Sequence, residues 1–270
     1  MAVEDMGCRL VWNRIVCLVS APFIAPIVAF GFLGTHRSEA ATILVYHRFG
    51  FVAADNMTVT TRVFEQQLDW LSAHGQRIVP LRTLLAGLEA KSPTPDLSTV
   101  AITVDDGHET VFTEMLPVVE RRKIPVTLFV YPSAISNASY AMTWAQLAIM
   151  VETGFVDVQS HSYWHPNFKT EAARLDRDAY EKFVEMQLIR SRESIAAHLK
   201  LPVDLLAWPF GIHDADLEDA ARRCGYVGAF TLELRAVRSD DDLFALPRYL
   251  VTDRDRGPRF GTIFNDQKPK

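Results

Sequence analysis

Short runs of apolar, β-branched residues alternate with segments of helical spacing along most of the chain. Thr42 to Tyr46 (TILVY), Val100 to Val104 and Val126 to Val130 (VTLFV) read as buried strands. Ile78-Val79, Phe155 to Gln159, Leu205 to Trp208, Tyr226 to Phe230 and Leu243 to Val251 continue the series. Between them, Arg62 to His74 carries Val63, Phe64, Leu68 and Leu71 at amphipathic spacing, and Gly75 ends it. Further helices are expected over Leu81 to Ala90, Thr110 to Arg122 (tolerating Pro117 at some cost), Thr143 to Thr153, Asp178 to Leu199 and Asp216 to Cys224. Lys91 to Ser98 is a polar, proline-bearing loop. Strands alternating with helices imply parallel βα units in one domain, and about seven or eight strands are enough to close towards a barrel. His47, Asp105, Asp106, His161 and Arg248 all fall at or just past strand ends, the rim where an α/β barrel carries its chemistry.

The N-terminus follows a different pattern. Arg9 and Arg14 precede a run from Ile15 to Leu33 without a charge, and Ser38-Glu39-Ala40-Ala41 supplies small residues for a signal peptidase. The expectation is an export signal over residues 1–40, favoured over a retained anchor because Pro22 and Pro26 interrupt the run. Residues 41–252 then form one domain outside the cytoplasm, in the periplasm, the envelope or the medium. The charged tail 253–270 is expected to be loosely held. A membrane is implied only through an uncleaved leader. A formal charge of −5 gives no reason to expect a nucleic-acid partner. Cys8 and Cys17 belong to the leader, so Cys224 has no partner for a disulfide after cleavage.

The strand Val100 to Val104 runs into Asp105-Asp106-Gly107-His108. Neighbouring strand residues face opposite ways, so both aspartates serve one site only if the strand ends there and the chain turns, which Gly107 permits. Taken alone, such a pair is better explained as a turn whose carboxylates cap the helix that follows. His161-Ser162-Tyr163-Trp164-His165-Pro166 places two histidines in a strand-end loop, where they could meet one ion or merely share a surface. With a carboxylate from another strand end they make a three-ligand set that leaves positions open for water and substrate.

Thr103-Val104-Asp105-Asp106-Gly107 resembles the TFDDG motif of polysaccharide deacetylases, the NodB-homology or carbohydrate esterase family 4 proteins. His161 to Pro166 is similar to their H-(S/T)-x-x-H-P motif, and Ala207-Trp208-Pro209-Phe210-Gly211 to their R-x-P-(Y/F)-G segment. The resemblance covers most of residues 42–251 and implies a distorted (β/α)₇-type barrel that removes N-acetyl groups from a hexosamine polysaccharide or oligosaccharide. By motif position Asp105 would be the base, and Asp106, His161 and His165 would hold a divalent metal. Zinc is the usual ion, with cobalt, nickel or iron(II) as alternatives. Ala207 replaces the arginine that orients the base in many members, and the usual C-terminal histidine motif is missing. Val45-Tyr46-His47 looks like that motif moved to the start of the domain, as in permuted poly-β-1,6-N-acetylglucosamine deacetylases. His47 is therefore expected to be the acid, and Arg248 to stand in for the displaced arginine. Trp208, Pro209, Phe210, Tyr163, Trp164 and His108 are candidate sugar contacts by position, with core packing the default for half of the aromatics. Two alternatives are a non-catalytic glycan-binding protein on the same scaffold and a metal hydrolase acting on a small C–N substrate.

Overall fold

The computed structural model describes residues 40–89 and 98–267. The expected leader up to residue 39 and most of the Lys91-to-Ser98 loop lie outside them. In chain order the strands are β1 (Ala40–Tyr46), β2 (Arg48–Gly50), β3 (Thr58–Thr60), β4 (Arg77–Ile78), β5 (Thr99–Asp106), β6 (Val126–Val130), β7 (Val156–Ser160), β8 (Leu205–Ala207), β9 (Gly228–Phe230), β10 (Val237–Arg238) and β11 (Tyr249–Leu250). The helices are α1 (Thr61–Ala73), α2 (Leu81–Glu89), α3 (Leu116–Arg122), α4 (Trp144–Glu152), α5 (Phe168–Arg174), α6 (Arg177–Leu199), α7 (Ala215–Arg223) and α8 (Pro258–Gly261). Among them no helix is long and apolar enough to cross a membrane.

The main sheet runs β10-β1-β5-β6-β7-β8-β9 and curls into a partial barrel, the distorted (β/α)₇-type architecture expected. All neighbours on this path are parallel except β10 against β1. Side-chain parity then sorts the residues. Val100, Ile102 and Val104 of β5 join Leu44, Leu128 and Val158 in the layer packed on the helices. Ala101 joins Ile43, Phe129, Leu205, Ala207 and Phe230 in a separate inner cluster. Thr103 and Asp105 share the parity of Ala101, and His47 that of Ile43. The inner face of the sheet therefore ends, at its C-terminal rim, in polar residues.

Several expectations are revised. β5 does not stop before the aspartates but includes both. The turn comes instead from Asp106 and Gly107, with φ of 76° and 80°. Aspartate tolerates that left-handed conformation better than most residues. Any side chain at Gly107 would be strained by that φ and crowded as well: a Cβ there would stand 3.0 Å from Ile135 and 3.1 Å from Val130. The helix expected from Thr110 to Arg122 is a π-helical turn, Val111–Met115, leading into α3. Pro117 is the second residue of α3, directly after that π-helical turn. α5, with its Asn167 cap, has no counterpart in the expected elements.

Leu243 to Val251 is mostly irregular, with only Tyr249–Leu250 as a strand beside β1. The tail from Asp253 is not loosely held over the described residues. Phe260 and Phe264 are buried against Trp70 of α1, and Asp253 accepts hydrogen bonds from the backbone N–H and hydroxyl of Thr60 at 2.9 and 2.7 Å.

Candidate active site

Parity and the turn at Asp106 send the two aspartates to different surroundings. Asp105 points inward and is buried, while Asp106 is swung to the rim and keeps about a quarter of its side chain exposed. Arg248, fully buried, donates Nη1 to Oδ1 of Asp105 at 2.8 Å and Nη2 to Oδ2 at 2.7 Å. The guanidinium is completed by Thr231 O at 3.0 Å and Thr103 Oγ1 at 3.1 Å, and it lies near the rings of Phe129 and Phe230. Burial pushes the Asp105 carboxyl up, but the charge and hydrogen bonds of Arg248 outweigh it and hold the pKa at about 2.

His161 directly follows β7 and His165 lies four residues on. Ser162 and His165 both take left-handed conformations, each with φ of 61°, which folds the loop back on itself. Ser160 Oγ accepts from Ser162 N and Ser162 Oγ from His165 N, both at 3.2 Å, so the fold is held locally. His161 Nδ1 donates to the carbonyl of Ala207 at 2.7 Å. Ala207, whose side chain replaces the motif arginine, thus keeps a part in the site through its backbone. With Nδ1 protonated, the lone pair of His161 Nε2 faces Asp106 Oδ1 at 3.7 Å, and His165 Nε2 faces the same oxygen at 3.7 Å. Burial pushes the pKa of His165 down to about 4, so it is neutral at pH 7.

Three acceptor atoms thus converge within 4.8 Å of one another, an arrangement that favours a cation at its centre. Ligand atoms around a tetrahedral zinc stand about 3.4 Å apart, close to the 3.7 Å between Asp106 Oδ1 and each Nε2. The donor set of one carboxylate and two imidazoles suits a divalent transition ion, and the His161 hydrogen bond to the Ala207 carbonyl fixes the tautomer such an ion needs.

His47 directly follows β1, whose Tyr46 pairs with Val104 of β5, so His47 and Asp105 come off neighbouring strands at one level. It is buried, and its Nδ1 has no hydrogen-bond partner. Burial lowers its pKa, and the charges of Asp105 and Asp106 only partly oppose that. His108 is half-buried beside the turn.

The expected sugar contacts divide. Phe210 is 56% exposed, held at φ of 58°, with its ring edge-on to His165 at 4.5 Å. Trp164 is exposed and leans on Phe183. Trp208 is not in the cleft. It has the parity of Leu206, points outward under α5, α6 and α7, and donates Nε1–H to Phe244 O at 2.9 Å. Pro209 is buried as well, and the guanidinium of Arg190 covers one face of Tyr163. Tyr131, which the sequence did not single out, stands at the end of β6 with its ring 5.4 Å from that of His165. Its signal was position: like His161, it is the first residue past a central strand.

A partial α/β barrel with an arginine-clamped carboxylate beside an Asp-His-His triad on its rim defines a hydrolase of the metal-dependent type. The sequence places it further: the chain matches the polysaccharide deacetylase family over residues 92–229 and belongs to it. It is 28% identical over 236 residues to the poly-β-1,6-N-acetyl-D-glucosamine N-deacetylase of Staphylococcus epidermidis, covering 81% of each chain. The solved structure of IcaB from Ammonifex degensii is similar at a TM-score of 0.71 and 26% identity, over 84% of this chain and 98% of that one. The Streptococcus pyogenes deacetylase PplD, solved with acetate, shares the fold at a TM-score of 0.74 and 17% identity, over 85% of this chain and 99% of that one.

Proposed function

We infer that the protein is a metal-dependent N-deacetylase that hydrolyses acetamide groups of an N-acetylglucosamine polysaccharide, poly-β-1,6-N-acetylglucosamine being the substrate favoured by its relatives. The observation that carries this is the division of labour at the turn, with Asp105 clamped by Arg248 and Asp106 shared with His161 and His165.

Asp106, His161 and His165 would hold the ion, with zinc first and cobalt, nickel or iron(II) as the other candidates. When bound, it supplies a Lewis acid that acidifies water and polarises the acetamide carbonyl. The remaining roles belong to the chain. Asp105, ionised at neutral pH, accepts the proton of the attacking water, and Arg248 fixes the carboxylate plane so that a lone pair stays aimed at the rim. His47 delivers a proton to the amine nitrogen as the C–N bond breaks, leaving acetate and a free amine. Its lowered pKa makes the imidazolium a stronger acid than a free one. Its unpartnered Nδ1 is a buried polar atom of the kind retained for a group that arrives with substrate. Phe210 and Trp164 offer apolar faces to the sugar.

The expected leader would carry the enzyme to an exported or envelope polysaccharide. Acetate release from N-acetylglucosamine oligomers tests the function. Glycan binding without acetate release would instead establish the non-catalytic alternative.

A further inference from the structure

Beside the triad, the segment from Tyr131 to Met142 forms a wall that neither the motifs nor the mechanism uses. The Tyr131 and Tyr140 hydroxyls are 2.6 Å apart, and one donates to the other. Tyr140 is 43% exposed, and the ring of His108 stacks over it at 6.1 Å. Thr110 N donates to His108 Nδ1 at 3.2 Å. Phe49 N donates to Thr110 Oγ1 at 3.1 Å, which leaves the threonine hydroxyl to donate to the same Nδ1 at 2.9 Å. Nδ1 is therefore the acceptor, and Nε2 carries the proton as a fixed donor.

The wall is pinned to the reaction centre on both sides. Glu109 N donates to Tyr140 O at 2.8 Å and Met142 N to Gly107 O at 3.0 Å, tying it to the turn that aims Asp106. Ser133 N donates to Tyr163 O at 3.0 Å, tying it to the loop that carries His165. Two hydroxyls and one imidazole N–H thus stand in fixed register with the triad, on a surface with an aromatic face.

We propose that Tyr131 and Tyr140, with His108 beside them, recognise the free vicinal hydroxyls of the sugar being deacetylated and so select the glycan's linkage. The proposal rests on the deacetylase reading. After one phenol donates to the other, the pair keeps one O–H to give and lone pairs to accept, which complements two adjacent sugar hydroxyls. In a 1,6-linked hexosamine polymer both the 3- and 4-hydroxyls are free. In a 1,4-linked polymer the 4-oxygen is part of the linkage, and one partner of the pair goes unmet. An unmet polar group in a partly buried site costs affinity, which is how such a wall discriminates.

The test is affinity for β-1,6- and β-1,4-linked N-acetylglucosamine oligomers, measured by calorimetry on the intact protein after chelation, with acetate release followed separately on the zinc-loaded protein. The 1,6-linked oligomer is expected to bind wild type more tightly. Tyr140→Phe, whose ring is not packed on a metal-binding histidine, is expected to lower that preference by roughly 3- to 10-fold, the worth of one hydrogen bond. It is expected to raise KM by a similar factor, with zinc content retained. A 4-deoxy analogue of the 1,6-linked oligomer is expected to bind wild type and Tyr140→Phe alike. No linkage preference in wild type, or a preference that Tyr140→Phe leaves intact, would overturn the proposal. A preference lost in Tyr140→Phe with no acetate released from either glycan would retain the wall and sink the deacetylase reading. Acetate release with an intact preference would do the reverse.

Discussion

Arg248 and Asp105 form a two-pronged, fully buried ion pair across 143 residues of chain, with hydrogen bonds of 2.8 and 2.7 Å. Removing the cation alone leaves a charge in a medium that cannot solvate it. Arg248→Met is therefore expected to destabilise the fold by roughly 3–5 kcal/mol in urea unfolding, whereas Arg248→Met combined with Asp105→Asn recovers part of the loss. Equal losses in both would mean that the pair is not the cause.

The same pair sets a pH dependence. Folded Asp105 binds its proton near pH 2, an unfolded aspartate near 3.8. Its contribution is thus complete above about pH 4 and lost as pH falls towards 2, because the unfolded state takes up the proton first. In chelated protein the fall of stability between pH 4 and 2 is expected to be shallower in Asp105→Asn. His165 works in a higher window. Its folded pKa of about 4 lies below the ordinary 6.5, so stability falls as pH drops from 6.5 towards 4. In chelated protein His165→Gln is expected to flatten that part of the profile, and an unchanged slope would count against a partly buried, neutral imidazole.

His47 and His161 are expected to separate cleanly. His161→Ala removes one nitrogen of the proposed metal set, so zinc measured by elemental analysis is expected to drop together with turnover. His47→Ala keeps zinc but loses turnover by roughly 10²–10⁴. Zinc lost from His47→Ala would move that residue into the metal set instead.

The C-terminal stretch is expected to matter for stability although it is remote from the chemistry. Phe260 packs edge-on to Trp70 at 5.5 Å and beside Phe264 at 5.6 Å. Phe260→Ala should cost about 3–5 kcal/mol, as for other buried phenylalanines. A loss below about 1 kcal/mol would mean that the tail contributes little.

Where the sequence was legible, local chemistry and tertiary demand agreed. Val126–Val130 was read to the residue because a strand covered on both faces needs a nearly continuous apolar run, here broken only by Thr127. The triad was legible because its members sit in two compact motifs at strand ends. Arg248 was reachable only through the family resemblance, since nothing in Leu246-Pro247-Arg248 announces a partner 143 residues away. Trp208 was misplaced because a motif lists neighbours in sequence, while parity sends Ala207 and Trp208 to opposite faces. The left-handed turn at Asp106 was hidden for a related reason: the strand continues through the residue that redirects it. The Tyr131–Tyr140 pair leaves no local pattern, as the loop between the two tyrosines brings them together.

The most direct measurement runs acetate release and zinc content side by side on wild type and Asp105→Asn, with N-acetylglucosamine oligomers as substrate. Wild type is expected to release acetate, stop on chelation and resume with zinc or cobalt, while Asp105→Asn holds the same zinc and turns over roughly 10²–10⁴ times more slowly. Full turnover by Asp105→Asn, or acetate release that survives complete chelation, would contradict the assignment of a base beside a metal triad.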